Sequence, residues 1–494
     1  MLSTKRKPKS IWINLGLIAM LACGLLWRLD TAPATAQTIV TWSRPILLSS
    51  PNVEAWSPTI VADPEGNVHV MWSQTMTDPP PPGEGDTLFY ARWDGVQWTR
   101  TVDVLVSPEG AASAPELAVT PDGMLHAVWH TGGKTAKLMY ARAPACCADD
   151  PKNWSQPKSL GSSVLNTLAL VADEQGRLHT AFPSNDTEGI VYLRSDDGGS
   201  SWPVWVDIVG SIGLDEFAMT PRLAVDGRGR VHMVWTVMPW PGHAVVYARS
   251  DDGGNTWNEP VIVDTALRRE YREGYGPMDI DIEAIGQDEI HVIWDGAPTV
   301  ERTHIWSRDG GKTWSPRNLL FPSVTLAGRG SWNDMAVDSA GMLQAVSLQP
   351  NGPALHSAWN GATWSTPDKI PTNDSGELFR IAISRGNVIH VVWSDKKARP
   401  YTVWYVRGQL ATPELPAQPL ATPTKILTPT PTVTLTRTSE TTPSQRPTVQ
   451  QDKPATSPPT PALNPAYATV MGIISVIVML GIVALVSLGL SRRN

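Results

Sequence analysis

The chain has 494 residues, a formal net charge of −7 and a pI near 5.8. With no basic stripe or aromatic-basic motif, that balance argues against nucleic acid as a partner. Three cysteines supply no disulfide framework, and there is no P-loop, His-Glu-x-x-His or Gly-x-Ser-x-Gly, so neither a cofactor nor a metal is expected.

At the N-terminus, Lys5, Arg6, Lys7 and Lys9 precede an apolar stretch from Ile11 to Trp27, and Ala34-Thr35-Ala36 offers a small-residue cleavage site. This pattern predicts a secretory signal over residues 1–36. Cys23 would leave with it, and the mature chain would keep only the adjacent Cys146 and Cys147. A vicinal disulfide and a plain loop insertion both remain open for that pair.

From about residue 50 to 395 one pattern recurs seven times: an apolar strand, a turn containing Gly, and a second strand that usually reads His-x-x-Trp. The copies carry His69, His126, His179, His232, His291, Gln344 and His390, and nine residues before each stands Ile60, Leu117, Leu170, Leu223, Ile282, Met335 or Ile381. Spacings of 46 to 59 residues suit four short strands, one blade of a propeller. A repeated histidine at equivalent positions argues for packing and hydrogen bonding, since a catalytic group is needed once. Fourth strands follow Trp98, Trp154, Trp202, Trp257, Trp314 and Trp364, but the seventh copy ends at Tyr405-Val406-Arg407 without one. The missing strand has its match in Thr41 to Leu48, so the N-terminal strand is expected to complete the seventh blade and remove two open edges.

The all-β, seven-bladed propeller is therefore expected over residues 37–410. Residues 411–464, rich in Pro and Thr, cannot bury a core and read as a disordered stalk. Residues 465–490 are apolar, uncharged and long enough to span a bilayer, and Arg492 and Arg493 follow in a short tail, 491–494. The expectation is a single-pass cell-membrane protein, propeller outside, C-terminus cytoplasmic, monomeric.

Three turns read Ser-x-Asp-x-Gly-x-Ser/Thr-Trp, starting at Ser195, Ser250 and Ser307. The Asp carboxylate can accept backbone N–H bonds within the turn, Gly tolerates positive φ, and Trp buries its ring under the hairpin. In these turns the chain resembles the BNR-repeat (Asp-box), sialidase-like propellers of the neuraminidase superfamily. The resemblance implies a glycan-related surface protein. Seven blades depart from the six of the sialidase catalytic domain.

Ten residues before each repeated His or Gln, near the start of the innermost strand, stand Thr59, Glu116, Ala169, Arg222, Asp281, Asp334 and Arg380. Charges so near an axis require partners or water. They either line a polar pocket or bridge blades, Arg222 with Asp281 and Asp334 with Arg380. Sialidases bind a substrate carboxylate with three arginines, use a Tyr activated by Glu as nucleophile, and have an Asp acid/base. By that resemblance Arg380, Arg222 and Arg272 would bind the carboxylate, Tyr271 with Glu270 would be the nucleophile pair, and Asp334 or Asp281 the acid. No Phe/Tyr-Arg-Ile-Pro motif occurs early; Phe379-Arg380-Ile381-Ala382 lies in the seventh copy and lacks the Pro, and Ser43-Arg44-Pro45-Ile46 belongs to the outer closing strand. Loops on the same face carry Trp56, Tyr275 and Trp332, aromatics that suit stacking on a sugar or a protein hot spot. The function expected is recognition of a glycan or another surface ligand on the funnel face. An active exo-sialidase or related glycosidase is the alternative, and a protein-interaction scaffold a further one.

Overall fold

The computed structural model describes residues 40–420, apart from 78–84, 109, 134, 166, 188, 209–216, 239–243, 265–277, 297–300, 322–332, 349–351, 373–375 and 398. Among the described residues seven antiparallel sheets follow one another along the chain. Blades 1 to 6 occupy 55–106, 113–161, 169–208, 217–262, 278–319 and 333–369, with strands in sequential order. Blade 7 takes three strands from 376–409 and its outer edge from the N-terminus, where Thr41–Trp42 and Ile46–Leu47 both pair with Thr402–Gln409. First strands of successive blades neighbour one another round the ring, and that of blade 7 neighbours that of blade 1. The ring therefore closes as the repeat count requires, with Arg44 exposed on the outer edge. Fourth strands are only two to five residues long, which keeps the exposed edges short.

Second strands are buried on both faces: every residue of Val68–Gln74, Leu178–Pro183 and Leu343–Ser347 is buried. Such strands sit inside a sheet that is itself covered by a blade on each side, so one side chain packs to the left and the next to the right. Trp72, Trp129, Phe182, Trp235, Trp294 and Trp393 are all wholly buried there.

The repeated histidines are part of this packing. His69, His179 and His232 each place Nδ1 within 2.6–2.7 Å of a tyrosine hydroxyl on the third strand and Nε2 within 3.1–3.3 Å of the aspartate six residues earlier. His126 and His390 use the same tyrosine partner but meet Thr120 and Ser384 in place of the aspartate. Gln344 keeps the scheme with Asp338 and His356. Each is a buried polar group supplied with two partners, which is what burial requires.

The Ser-x-Asp-x-Gly turns link this network to the next blade. Asp197, Asp252 and Asp309 each accept bonds from the serine that opens the turn and from the backbone and hydroxyl of the Ser or Thr that nearly closes it. A Cβ on Gly199, Gly254 or Gly311 would stand within 2 Å of the hydroxyl of Tyr140, Tyr192 or Tyr247 in the preceding blade. The second glycine is thus needed both for its positive φ and for this close approach. Blade 2 departs from the pattern: its corresponding segment holds two short 3₁₀ turns, in which Cys146 and Cys147 are joined by a disulfide.

Beyond residue 410 the chain does not leave the ring at once. Leu410 and Leu415 donate backbone bonds to Asn387 and Arg385, Gln418 to Pro64, and the Leu420 amide to the Glu65 carboxylate. An Arg385–Glu414 ion pair of 2.9 Å adds to these. The segment thus crosses from blade 7 to blade 1, over the seam that the N-terminal strand closes.

Candidate functional site

Among the described residues, the first strand carries a bulge at the same place in five blades. Register slips by one residue just before Thr59, Glu116, Arg222, Asp281 and Arg380. The residue two positions earlier adopts a left-handed conformation although none is glycine: Ser57 (φ 52°), Ala114 (46°), Thr220 (50°), Asp279 (48°) and Leu378 (55°). Non-glycine residues held there cost free energy, and repeated bulges of this kind re-aim side chains at functional mouths. Here all five line one cavity of about 490 Å³ at the mouth of the central axis, together with Glu116, Arg222, Arg380, His130, Gly132, Gly133 and Asn333. A narrower space of about 190 Å³ continues down the axis and is lined by Thr59, Glu116, Arg222, Asp281, Asp334 and Arg380.

The ring charges line the axial space, and the pairs they form are not Arg222 with Asp281 and Asp334 with Arg380. Arg222 and Arg380 both reach across the axis to Glu116, at 3.9 Å and 3.4 Å. Thr59 donates its hydroxyl to the other Glu116 oxygen at 3.3 Å. Asp281 and Asp334 instead accept the backbone N–H of the next blade, from Met335 at 2.8 Å and Ile381 at 2.6 Å. The physical reason is reach: a short Asp side chain on a bulged strand lies beside the neighbouring backbone, whereas arginine and glutamate can span the axis. One glutamate therefore serves two arginines, and the arginines and Glu116 keep 16–19% of their side-chain surface accessible.

Electrostatics follow from this crowding. Burial holds the Asp334 carboxyl up at about 6, although Arg380 and the Ile381 amide pull it down. Asp281 is pushed well above the ordinary carboxylate range by burial and by the neighbouring Asp334. Two residues further down the strand, Glu283 is raised by burial and by both aspartates. Burial alone would lower the Arg380 guanidinium, and Glu116 with the two aspartates turns its shift upward. Arg222 is lowered by burial and by Arg380.

Of the residues singled out from sequence, Arg222, Arg380 and Asp334 come together at the axis with Glu116 and Asp281. Trp56 does not line the cavity; it is half-buried and packs edge-on against Tyr401, centroids 6.1 Å apart. Glu270, Tyr271, Arg272, Tyr275 and Trp332 lie outside the described residues. Among the described residues no group of His, Cys, Asp or Glu is placed to hold a metal ion. Two contributors escaped the sequence reading. The bulges are signalled by the prolines at 58, 115 and 221, each directly before a ring residue. His130 is signalled only by its departure from the repeat, since the equivalent positions hold Ser73, Pro183, Thr236, Asp295, Leu348 and Ser394.

No protein-family model matches this chain, and no curated protein matches it in sequence. Solved structures do share its fold. An ulvan lyase, a polysaccharide lyase bound to GlcA(1-4)Rha3S, is similar with a TM-score of 0.50 and 13% identity, over 74% of this chain and 95% of that one. A Penicillium chrysogenum α-L-arabinanase complexed with arabinobiose has a TM-score of 0.47 and 12% identity over 75% and 98%. A leech intramolecular trans-sialidase has 0.44 and 10% over 74% and 93%. At 13% identity the likeness to the ulvan lyase is one of fold alone.

Proposed function

We propose that this propeller recognises a glycan through the cavity at the mouth of its axis, and that the sugar is acidic. The observation that carries this reading is the Arg222–Glu116–Arg380 set on the cavity floor: two guanidiniums share one carboxylate, which leaves donor capacity for a further anion. A volume of about 490 Å³ suits one or two sugar residues. The similar ulvan lyase is bound to a glucuronate-containing glycan, which agrees with this choice of chemistry. On the same reading the turns at Ser195, Ser250 and Ser307 are Asp-boxes of a sialidase-like propeller. The signal segment would direct the chain out of the cell and the apolar stretch 465–490 would anchor it at the surface with the propeller outward; both lie outside the described residues.

The test is binding of the purified full chain to a glycan array and, in solution, to methyl D-glucuronide. Retention of acidic glycans over their neutral counterparts, lost in Arg380→Ala, supports the proposal; equal retention of neutral glycans by wild type and variant rejects it. A second reading, glycoside hydrolysis, draws on the place of Asp334 in the narrower axial space beside Arg222 and Arg380, where burial holds its carboxyl up at about 6, suited to give a proton near neutrality. Release of fluorophore from a sialoside, abolished in Asp334→Asn, would put that reading first.

A further inference from the structure

Four residues after each repeated histidine, the second strand reaches the cavity end of its blade. In four blades the side chain at this position is committed to neighbouring structure. Ser73 donates to the Ala112 carbonyl at 2.5 Å, and Thr236 meets the Thr220 hydroxyl at 2.7 Å. Ser394 accepts the Ser57 amide at 3.2 Å, and Asp295 pairs with Arg302 at 3.1 Å. Two of these bonds hold the left-handed residues of the bulges in place. Pro183 and Leu348 have no polar group to offer.

Blade 2 has His130 here, opposite Ser113 in the ladder, in a residue only 5% exposed. Its Nδ1 accepts the backbone N–H of Gly132 at 3.2 Å. An acceptor nitrogen carries no proton, so the neutral ring must bear its hydrogen on Nε2. That nitrogen has no hydrogen-bond partner among the described residues, and His130 lines the axial cavity. Beside it Gly132 and Gly133 form an open lip, and a Cβ on Gly133 would meet nothing within 4 Å. The position that in blades 4 and 7 supports a bulge is here a tautomer-fixed donor at the axial cavity.

We propose that His130 is a ligand-contacting residue of the axial cavity, donating its Nε2–H to a hydroxyl or ring oxygen of the bound sugar. This rests on the reading of the cavity as a glycan site. The donor is uncharged: burial depresses the imidazole to about 4, so it adds direction without adding to the positive charge of the arginines. Arg222 and Arg380 would take the anionic group and His130 an uncharged oxygen of the same sugar.

Calorimetric titration of the full chain with methyl D-glucuronide tests this, using His130→Leu, His130→Gln, His130→Asn and, as reference, Arg380→Ala. Losing one neutral donor should weaken binding about three- to tenfold. The Gln amide nitrogen falls where Nε2 was, so His130→Gln should recover most of the affinity. His130→Asn can still accept from Gly132 but does not reach the cavity, and should remain weak. A residue that only capped its turn would show the opposite order. The deficit of His130→Leu should stay constant between pH 5.5 and 8, because the ring is neutral throughout. If Arg380→Ala weakens binding while the three His130 variants match wild type, the His130 contact is wrong and the cavity stands. If wild type does not bind, both fall. Should His130→Leu fail to fold, the Gln and Asn variants alone decide.

Discussion

The Nδ1 of His232 lies 2.7 Å from the Tyr247 hydroxyl, and the ring of that tyrosine meets Trp314 of the next blade edge-on, with centroids 4.9 Å apart. A hydrogen bond inside blade 4 is thereby joined to an aromatic contact across the blade interface. Asp226 holds the other side of the imidazole at 3.1 Å, so the chain Asp226–His232–Tyr247–Trp314 runs from the inner turn to the outer hairpin. Versions of it recur at Tyr90 with Trp154, Tyr140 with Trp202, Tyr192 with Trp257 and Tyr405 with Trp98.

Tyr247→Phe keeps the ring on Trp314 and strands the histidine nitrogen in a dry site. It is expected to cost about 1–3 kcal/mol, the penalty of one buried unsatisfied group. Denaturant unfolding of wild type and variant measures this, and an unchanged midpoint would refute the relay. Glycan binding should be unaffected, since Tyr247 does not line the cavity.

The relay also makes the fold sensitive to acid in specific blades. His126 and His390 face hydroxyls where other blades offer a carboxylate, and burial depresses both to about 3. A base whose folded pKa lies below its unfolded value contributes stability that is intact above about 6.5 and is lost as pH falls toward about 3. Blade 6 carries Gln at this position, so His126→Gln is the natural control. Relative to that variant, wild type should lose up to about 1.4 kcal/mol for each pH unit below 6.5. Parallel curves for the two proteins from pH 7 to 4 would contradict this.

At the axis the pH dependence has the opposite sign. Asp334, raised from 3.8 to about 6, favours the folded state in its protonated form, and that contribution disappears as pH rises through about 6. Its ionised form also repels an acidic ligand held by Arg222 and Arg380. Affinity for methyl D-glucuronide should therefore rise as pH falls from 7.5 to 5. In Asp334→Asn the curve should flatten, with the pH 7.5 value increased, because the amide can still accept the Ile381 N–H. Arg380→Ala should lower affinity by about one to two orders of magnitude at every pH.

Closure depends on both ends of the propeller. Deleting residues 38–48 removes the outer strand of blade 7, and stopping at Gln409 removes the segment that bonds to blades 7 and 1. Each truncation should lower the melting temperature markedly, whereas a chain ending at Lys425 should melt as the full chain does. The chain ending at Lys425 is also expected in the soluble fraction, and the full chain with membranes. Identical melting of the 409 and 425 truncations would show that the crossing segment contributes nothing.

The blade count, the closing strand and the structural role of the histidines are all legible in sequence, and for one reason. A repeat places equivalent residues in equivalent surroundings, so Trp42 could be matched to Trp98 or Trp257, and His232 weighed against Gln344, without coordinates. The ring position was legible in the same way, because constant spacing from the histidine marks the inner strand. Partnership across the axis was not. Glu116 is separated from Arg380 by 264 positions, and which arginine meets which carboxylate depends on side-chain reach over a central space that only the closed ring defines. His130 was hidden for a related reason: its meaning lies in a departure from the repeat, and only the tertiary structure decides whether such a departure faces a neighbouring backbone, as Ser73 and Ser394 do, or an open cavity.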